Sequence, residues 1–182
     1  MTMNREDLTR DITEAARRSF SALLAQHGNE SFYAFALYTD EDCYTVVPAA
    51  NSLERHREKL AEMDDDDDQA AYYQWASAEW AYEGFAAEPF NPICDQLAAA
   101  CQAVSGDAAA FASFKAGVRQ AMTDAMRRLD EEGFFGTHRA GAVLFITSSD
   151  FDEASGMERR SALALNPPER SVDFLAWNGA AE

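Results

Sequence analysis

SFYAFALYTDEDCYTVVPAA, Ser31 to Ala50, is the stretch whose reading decides the fold. Its halves, SFYAFALY and CYTVVPAA, are rich in aromatic and β-branched residues, and the polar Thr39-Asp40-Glu41-Asp42 between them supplies a turn. The stretch therefore reads as a hairpin of two strands. A further strand lies far downstream in GAVLFITSSD, Gly141 to Asp150, a continuous apolar run without alternation. Such a run fits a central strand covered on both faces.

The remaining periodicity is helical. Leu8, Ile12, Ala15, Ala16, Phe20, Leu23 and Leu24 recur at three- and four-residue steps up to His27-Gly28, where glycine supplies the end of a first amphipathic helix. Asn51 or Ser52 can cap a short helix through Leu53, His56, Leu60 and Met63. Ile93, Leu97, Ala100, Cys101 and Val104 form another stripe after the breaker Glu88-Pro89-Phe90-Asn91-Pro92. A long helix follows from about Ala108 to Glu132, with Phe111, Phe114, Val118, Met122, Met126 and Leu129 on its buried face, ended by Gly133. Asp150 or Asp152 can cap a helix containing Met157, Ala162 and Leu163, and NPPERSVDFLAW closes the chain as a turn or short helix starting at the prolines. With no repeat and no Gly/Ser-rich or Pro-rich linker, residues 1–182 read as one α+β domain. Its sheet is expected to be small and mostly antiparallel, the hairpin plus a central strand near 141–149, packed with several helices.

Composition supports a folded chain and restricts its partners. Hydrophobic residues make up 47% and aromatic residues 12% of 182 positions. The formal charge of -17 opposes unaided binding to nucleic-acid phosphates or anionic lipid and favours a basic partner. Eleven acidic residues and no Lys or Arg lie between Lys59 and Lys115. The N-terminus is charged throughout, unlike a secretory signal, and no apolar run reaches the length of about 20 residues that spans a bilayer. A soluble, cytoplasmic protein is the expectation. Cys43, Cys94 and Cys101 are odd in number and lack CxxC spacing, which indicates neither a disulfide framework nor a zinc knuckle, and Cys94 and Cys101, seven apart in a helical pattern, read as buried structural thiols.

No GxSxG elbow, phosphate loop, HExxH or strand-borne GxGxxG is present, which removes the anchors of the common hydrolase, nucleotide and zinc-protease chemistries. The most unusual segment is MDDDDDQAAYYQWASAEWAYEGF, Met63 to Phe85, where five aspartates run into six aromatic rings. The aspartates lack the alternating spacing and turn glycine of a calcium loop, so no metal and no cofactor is expected. AAYYQWAS reads as a third strand and SAEW as a turn of helix, although strand and helix compete here. Glu79 and Glu83, four apart, present two carboxylates on one face for acid/base work, or are surface acids. Neither a strand nor a helix can bury all six rings, which leaves some for a surface. For each of Trp75 and Trp80 taken singly, a core position is the plainer reading.

FYAFALYTDEDCYTVVPAANS, YYQWASAEWAYEG and GAVLFITSSD, taken in order, resemble the bacterial domain-of-unknown-function family DUF4303 over nearly the whole chain. The most specific marks are Phe32 to Tyr38, Tyr73-Gln74-Trp75 and Ser77-Ala78-Glu79-Trp80. The resemblance implies a small cytoplasmic α/β protein and, from the toxin-and-immunity settings of some members, an immunity role. It implies no activity, and the aspartate block is not part of the family pattern.

Together these readings give a non-enzymatic protein-binding domain, most concretely an immunity-type inhibitor of a basic, nuclease-like toxin. Asp64, Asp65, Asp66, Asp67, Asp68, Glu79 and Glu83 supply charge, and Tyr72, Tyr73, Trp75 and Trp80 supply contact. Two alternatives remain: a small-molecule hydrolase or transferase using Glu79 with His138 or Cys43, and a self-associating structural or regulatory protein with the aromatics in a symmetric contact.

Overall fold

The structure, a computed structural model, describes residues 4–63, 69–149 and 151–180. Helix α1 (Arg5–His27) leads into β1 (Phe32–Thr39) and β2 (Val46–Ser52), followed by α2 (Leu53–Glu62) and α3 (Ala70–Trp75). After 3-10 turns come α4 (Asn91–Val104), α5 (Ala108–Glu131), β3 (Val143–Ser148), α6 (Phe151–Leu165) and α7 (Val172–Ala180). The hairpin and the downstream strand assemble as expected into a small sheet of an α+β domain.

Two details of the sheet differ from the expectation. Strand order is β2-β1-β3, with β1 antiparallel to β2 and parallel to β3, so the sheet is mixed. The middle strand is β1; β3 lies at an edge, although all six of its residues are buried. A continuous apolar run reports burial of both faces, which an edge strand also reaches when its open side is covered.

Both edges are closed by groups outside the sheet. Along β3, Asn166 accepts from the Leu144 amide (2.9 Å) and donates to its carbonyl (2.7 Å), while Ser161 accepts from the Ile146 amide at 3.0 Å. Along β2, the Cys94 thiol accepts from Val46 N (3.4 Å), Gly84 N donates to Pro48 O (2.8 Å) and Ala50 N to Tyr82 O (3.4 Å). Buried backbone groups that lack a ladder thus find side-chain or loop partners. Cys94 is therefore a half-buried edge cap rather than a plain core thiol, and Cys101, also expected to be buried, is half-buried too.

A bulge in β1 sets which side chains face which way. Phe32 pairs with Ser52 but Ala34 with Asn51, so Tyr33 is an extra residue. Phe32, Phe35 and Leu37 consequently join one core, with Ile12 and Phe20 of α1 and Met122 and Met126 of α5. Tyr33, Ala34 and Ala36 join the other, with Trp75, Trp80, Phe145 and Phe174. The sheet is a middle layer with apolar packing on both sides.

The helix ends follow their local chemistry. Asn4 caps α1, Ser52 caps α2 through the Arg55 amide, and Asp107 caps α5 through Ala109 N and Ala110 N. Gly133, at φ +70°, ends α5, with Phe134 N donating to Leu129 O. Gly28 serves a different purpose from the one expected: it stays right-handed (φ -64°), and a Cβ there would lie 2.3 Å from the Leu24 oxygen. Phe111 and Phe114 are only half-buried. Of the candidate caps of α6, Asp150 and the Asp152 side chain lie outside the described residues.

Asn166→Ala should leave the Leu144 amide and carbonyl unpaired at a buried edge and cost about 2–4 kcal/mol in denaturant unfolding. Hydrogen exchange at Leu144 should accelerate in the variant. A loss below about 0.5 kcal/mol, the level of an ordinary surface change, would remove the edge closure from the account.

Candidate functional site

The aromatic segment folds as helix, not strand. Alanines at 70, 71 and 76 favour the turn of α3, and the terminal Gln74 carbonyl is closed by two ring donors, Tyr33 Oη (2.6 Å) and Trp80 Nε1 (2.9 Å). Tertiary contact overrides the strand propensity of YYQW. Trp75 lies edge-on to Phe174 (5.2 Å) and Tyr33 (5.5 Å), and Trp80 to Phe145 (5.7 Å).

This placement corrects the expected contact set. Trp75 and Trp80 are buried in the second core and Tyr73 is buried beside it, so none of the three is a surface anchor; Tyr82 is buried in the first core, and Phe85 is half-buried against it. Of the six rings only Tyr72 stands out, 42% exposed. Trp75 and Trp80 cover the sheet's second face while Tyr82 and Phe85 pack with the first core, a division between two cores that neither helical nor strand spacing within one segment signals.

The carboxylates lie to one side of this cover. Glu79 pairs with Lys59 at 3.0 Å, and the Lys59 ammonium sits over the Tyr73 ring at 5.4 Å. Glu83 is exposed, its carboxyl raised by partial burial and by the charge of Glu79. Glu58 and Glu62 on α2 are exposed, as is Met63 at 44%. Asp64, Asp65, Asp66, Asp67 and Asp68 lie outside the described residues; in sequence they join α2 to α3.

Between α2 and the turn after α3 is a cavity of about 420 Å³, whose lining includes Asn51, Arg55, Glu58, Lys59, Glu79 and Tyr82. Beside it runs a network that sequence reading missed. Arg55 donates to Tyr82 Oη (3.0 Å), Glu58 (2.7 Å) and Glu30 (3.1 Å), and Tyr82 and Ser52 donate to Glu30 at 2.8 and 2.6 Å. Burial alone would raise the Glu30 pKa, but the Ser52 and Tyr82 hydrogen bonds and the Arg55 charge outweigh it and hold it below its ordinary value. No spacing rule links residues 30, 52, 55 and 82.

The structure does not bring Cys43, His138 and Glu79 together. Cys43 is fully buried, its thiol raised by burial and hydrogen-bonded with Arg119 and Thr39, at the far end of β1. The His138 ring meets Phe32 at 5.5 Å, at the near end. The eight residues of β1 set these ends roughly 23 Å apart. Glu79 belongs to the turn covering the opposite sheet face. Among the described residues no three His, Cys, Asp or Glu side chains converge as metal ligands, and no helix is long and apolar enough to cross a membrane.

One buried acid stands apart from this face. Glu158 of α6 accepts from Thr147 of β3 (2.5 Å) and Asn178 of α7 (2.7 Å), and burial raises its pKa despite both bonds. It ties sheet edge to closing helix.

The fold and this face define a single mixed-sheet α+β domain with an acidic, largely closed surface over its second core. The chain belongs to the family described as domain of unknown function DUF4303, whose model matches residues 12–167. No curated protein and no solved structure matches it.

Two predictions follow the burial. Trp75→Ala should cost about 3–5 kcal/mol in unfolding free energy, whereas Tyr72→Ala should stay within about 0.5 kcal/mol of wild type. Comparable losses for the two would contradict the core assignment. Because Glu158 has a raised folded pKa, its contribution is complete below the unfolded pKa and is lost as pH rises through the folded one. Glu158→Gln removes this titration, so its stability should vary less than wild type as pH rises above the ordinary carboxylate range. A wild-type-minus-variant difference that stays constant with pH would show that Glu158 is not held neutral.

Proposed function

We propose that this chain is a non-enzymatic protein-binding domain that takes a basic partner on the face formed by α2, α3 and the turn to Glu83, most concretely as an immunity-type inhibitor of a nuclease-like toxin. The observation that carries the reading is the pairing of exposed Tyr72 and Met63 with the exposed acids Glu58, Glu62 and Glu83 on adjoining elements. The aspartates 64–68 add five formal charges in sequence between Met63 and Gln69. Tyrosine offers a large contact with few rotors to freeze, and a carboxylate field speeds capture of a cationic surface. Buried Trp75 and Trp80 hold the face in shape and make no contact themselves. The cytoplasm, where such an inhibitor would meet its toxin, belongs to the same proposal.

The test uses a basic protein captured by the full-length chain and then purified. Its association rate should fall by at least about tenfold between about 20 and 300 mM salt, while dissociation changes little. Tyr72→Ala should speed dissociation, and Glu58→Lys with Glu62→Lys should slow association, with both variants as stable as wild type. A partner bound equally well by both, with salt-insensitive association, would sink the reading.

A further inference from the structure

In a chain with 32 acidic and 15 basic residues, a cation readily finds a carboxylate, and Arg10, Arg17, Arg18, Arg128 and Arg139 all do. One place departs from this pattern. A groove of about 340 Å³ between α5 and α6, with Ile146 of β3 beneath it, is lined by Arg119 and Arg127 from the first helix and Arg160 from the second. Among the described residues its lining holds no Asp or Glu. Like charges gathered without an opposite charge in the walls are unfavourable until an anion enters.

Helical spacing produces the gathering. Arg119, Thr123 and Arg127 recur at four-residue steps on one face of α5, and Met157, Arg160 and Ser161 lie at three- and four-residue steps on the facing side of α6. Arg119 and Arg127 stand about 12 Å apart along their helix, so their long side chains can close on one ligand from two sides. Arg160 approaches from the opposite wall. Gly156, one turn earlier in α6, leaves room for it: a Cβ there would lie 3.1 Å from Arg160 Nη1. Arg160 is exposed and forms no ion pair with a described residue, while Arg127 holds Asp124 of its own helix through a part-exposed pair, which is weak and uses only some of its five N–H groups. The neutral lining groups are committed elsewhere. Thr123 donates to Arg119 O (3.0 Å), and Ser161 accepts from Ile146 N (3.0 Å) and donates to Glu158 O (3.0 Å). Guanidiniums are therefore the donors that the groove offers.

We propose that this groove binds a phosphate group, held by Arg160 and Arg127 with Arg119 beside them. A carboxylate fills one guanidinium fork, whereas a phosphate dianion with three terminal oxygens can meet more than one. The formal charge of -17 repels an extended polyanion, so the fitting ligand is small. Ile146 and Met157 beneath the groove belong to the first core, whereas the face proposed for a basic partner covers the second, so neither proposal depends on the other.

Titration of the ¹⁵N-labelled full-length chain with inorganic phosphate and with phenyl phosphate, followed by NMR at low salt, tests the site. The Arg160 Nε–H and the Ser161 amide should shift saturably. Arg160→Gln and Arg127→Gln should each weaken binding at least about tenfold, whereas Arg57→Gln, the same charge loss at an exposed position of α2, should leave it within about twofold. Arg160 is exposed, so its variant keeps the fold and decides the matter if Arg127→Gln is destabilised. Tighter binding of phenyl phosphate assigns the site to a phosphorylated small molecule and equal binding to free phosphate; either supports it. Equal losses for Arg57→Gln and Arg160→Gln would reduce the effect to overall charge and overturn the site, as would binding that survives Arg160→Gln or the absence of any shift with both probes.

Discussion

Three strands with both edges inside the protein impose the constraint on which the rest of this structure depends. Every outward amide and carbonyl of β2 and β3 must meet a partner or remain orphaned in a dry environment. Asn166 and Ser161 meet that demand for β3, and this fixes α6 alongside the sheet rather than across its face. Cys94, Gly84 and Tyr82 meet it for β2, and this brings the chain after α3 back to the sheet. Arg139 strengthens the first closure by donating to Ala142 and Leu165 carbonyls while pairing with Asp130, so the ends of α5, β3 and α6 converge on one guanidinium.

The bulge at Tyr33 couples this frame to the acidic face. Were Phe32 to Ala34 regularly pleated without the bulge, Phe32 would fall on the side of Ala34 and Ala36, and the first core would lose its stacking of Phe32 on Phe35 at 5.2 Å. With it, Tyr33 points to the second core and places its hydroxyl between Asn51 of β2 and the last turn of α3. One backbone irregularity thus sets the packing of both faces and the orientation of the amide that lines the cavity.

Legibility in the sequence followed the range of the interactions. The hairpin, α1, α5 and β3 could be read because local period and composition determine them, and Ser52 could be read as a cap because its partner is three residues away. The helical state of Ala70–Trp75 could not, since it depends on Phe174 and Tyr33, a hundred and forty residues apart in the chain. The middle position of β1 was hidden for a related reason: burial of two faces makes a continuous apolar run, and nothing in that run tells whether its open edge is met by a strand or by Asn166. At the candidate site, Glu79 and Tyr72 were legible as charge and aromatic surface. Asn51, Glu30, Arg55 and Tyr82 were not, because each is an ordinary residue until the fold brings it to the others.

The separation of aromatic packing from surface charge bears on how such a face could work. Trp75 and Trp80 lock the turn from beneath, with Trp80 held by both a ring contact and a hydrogen bond to Gln74. Glu79, between these two rings in the chain, is thereby placed for its ion pair with Lys59. Rigidity also limits how far like charges can relax apart. Partial burial raises the Glu83 carboxyl, and the charge of Glu79 adds to the rise. Under the proposed function, a cation arriving at this face would relieve that repulsion as well as form its own contacts, which is the physical ground for proposing a basic partner rather than a neutral one.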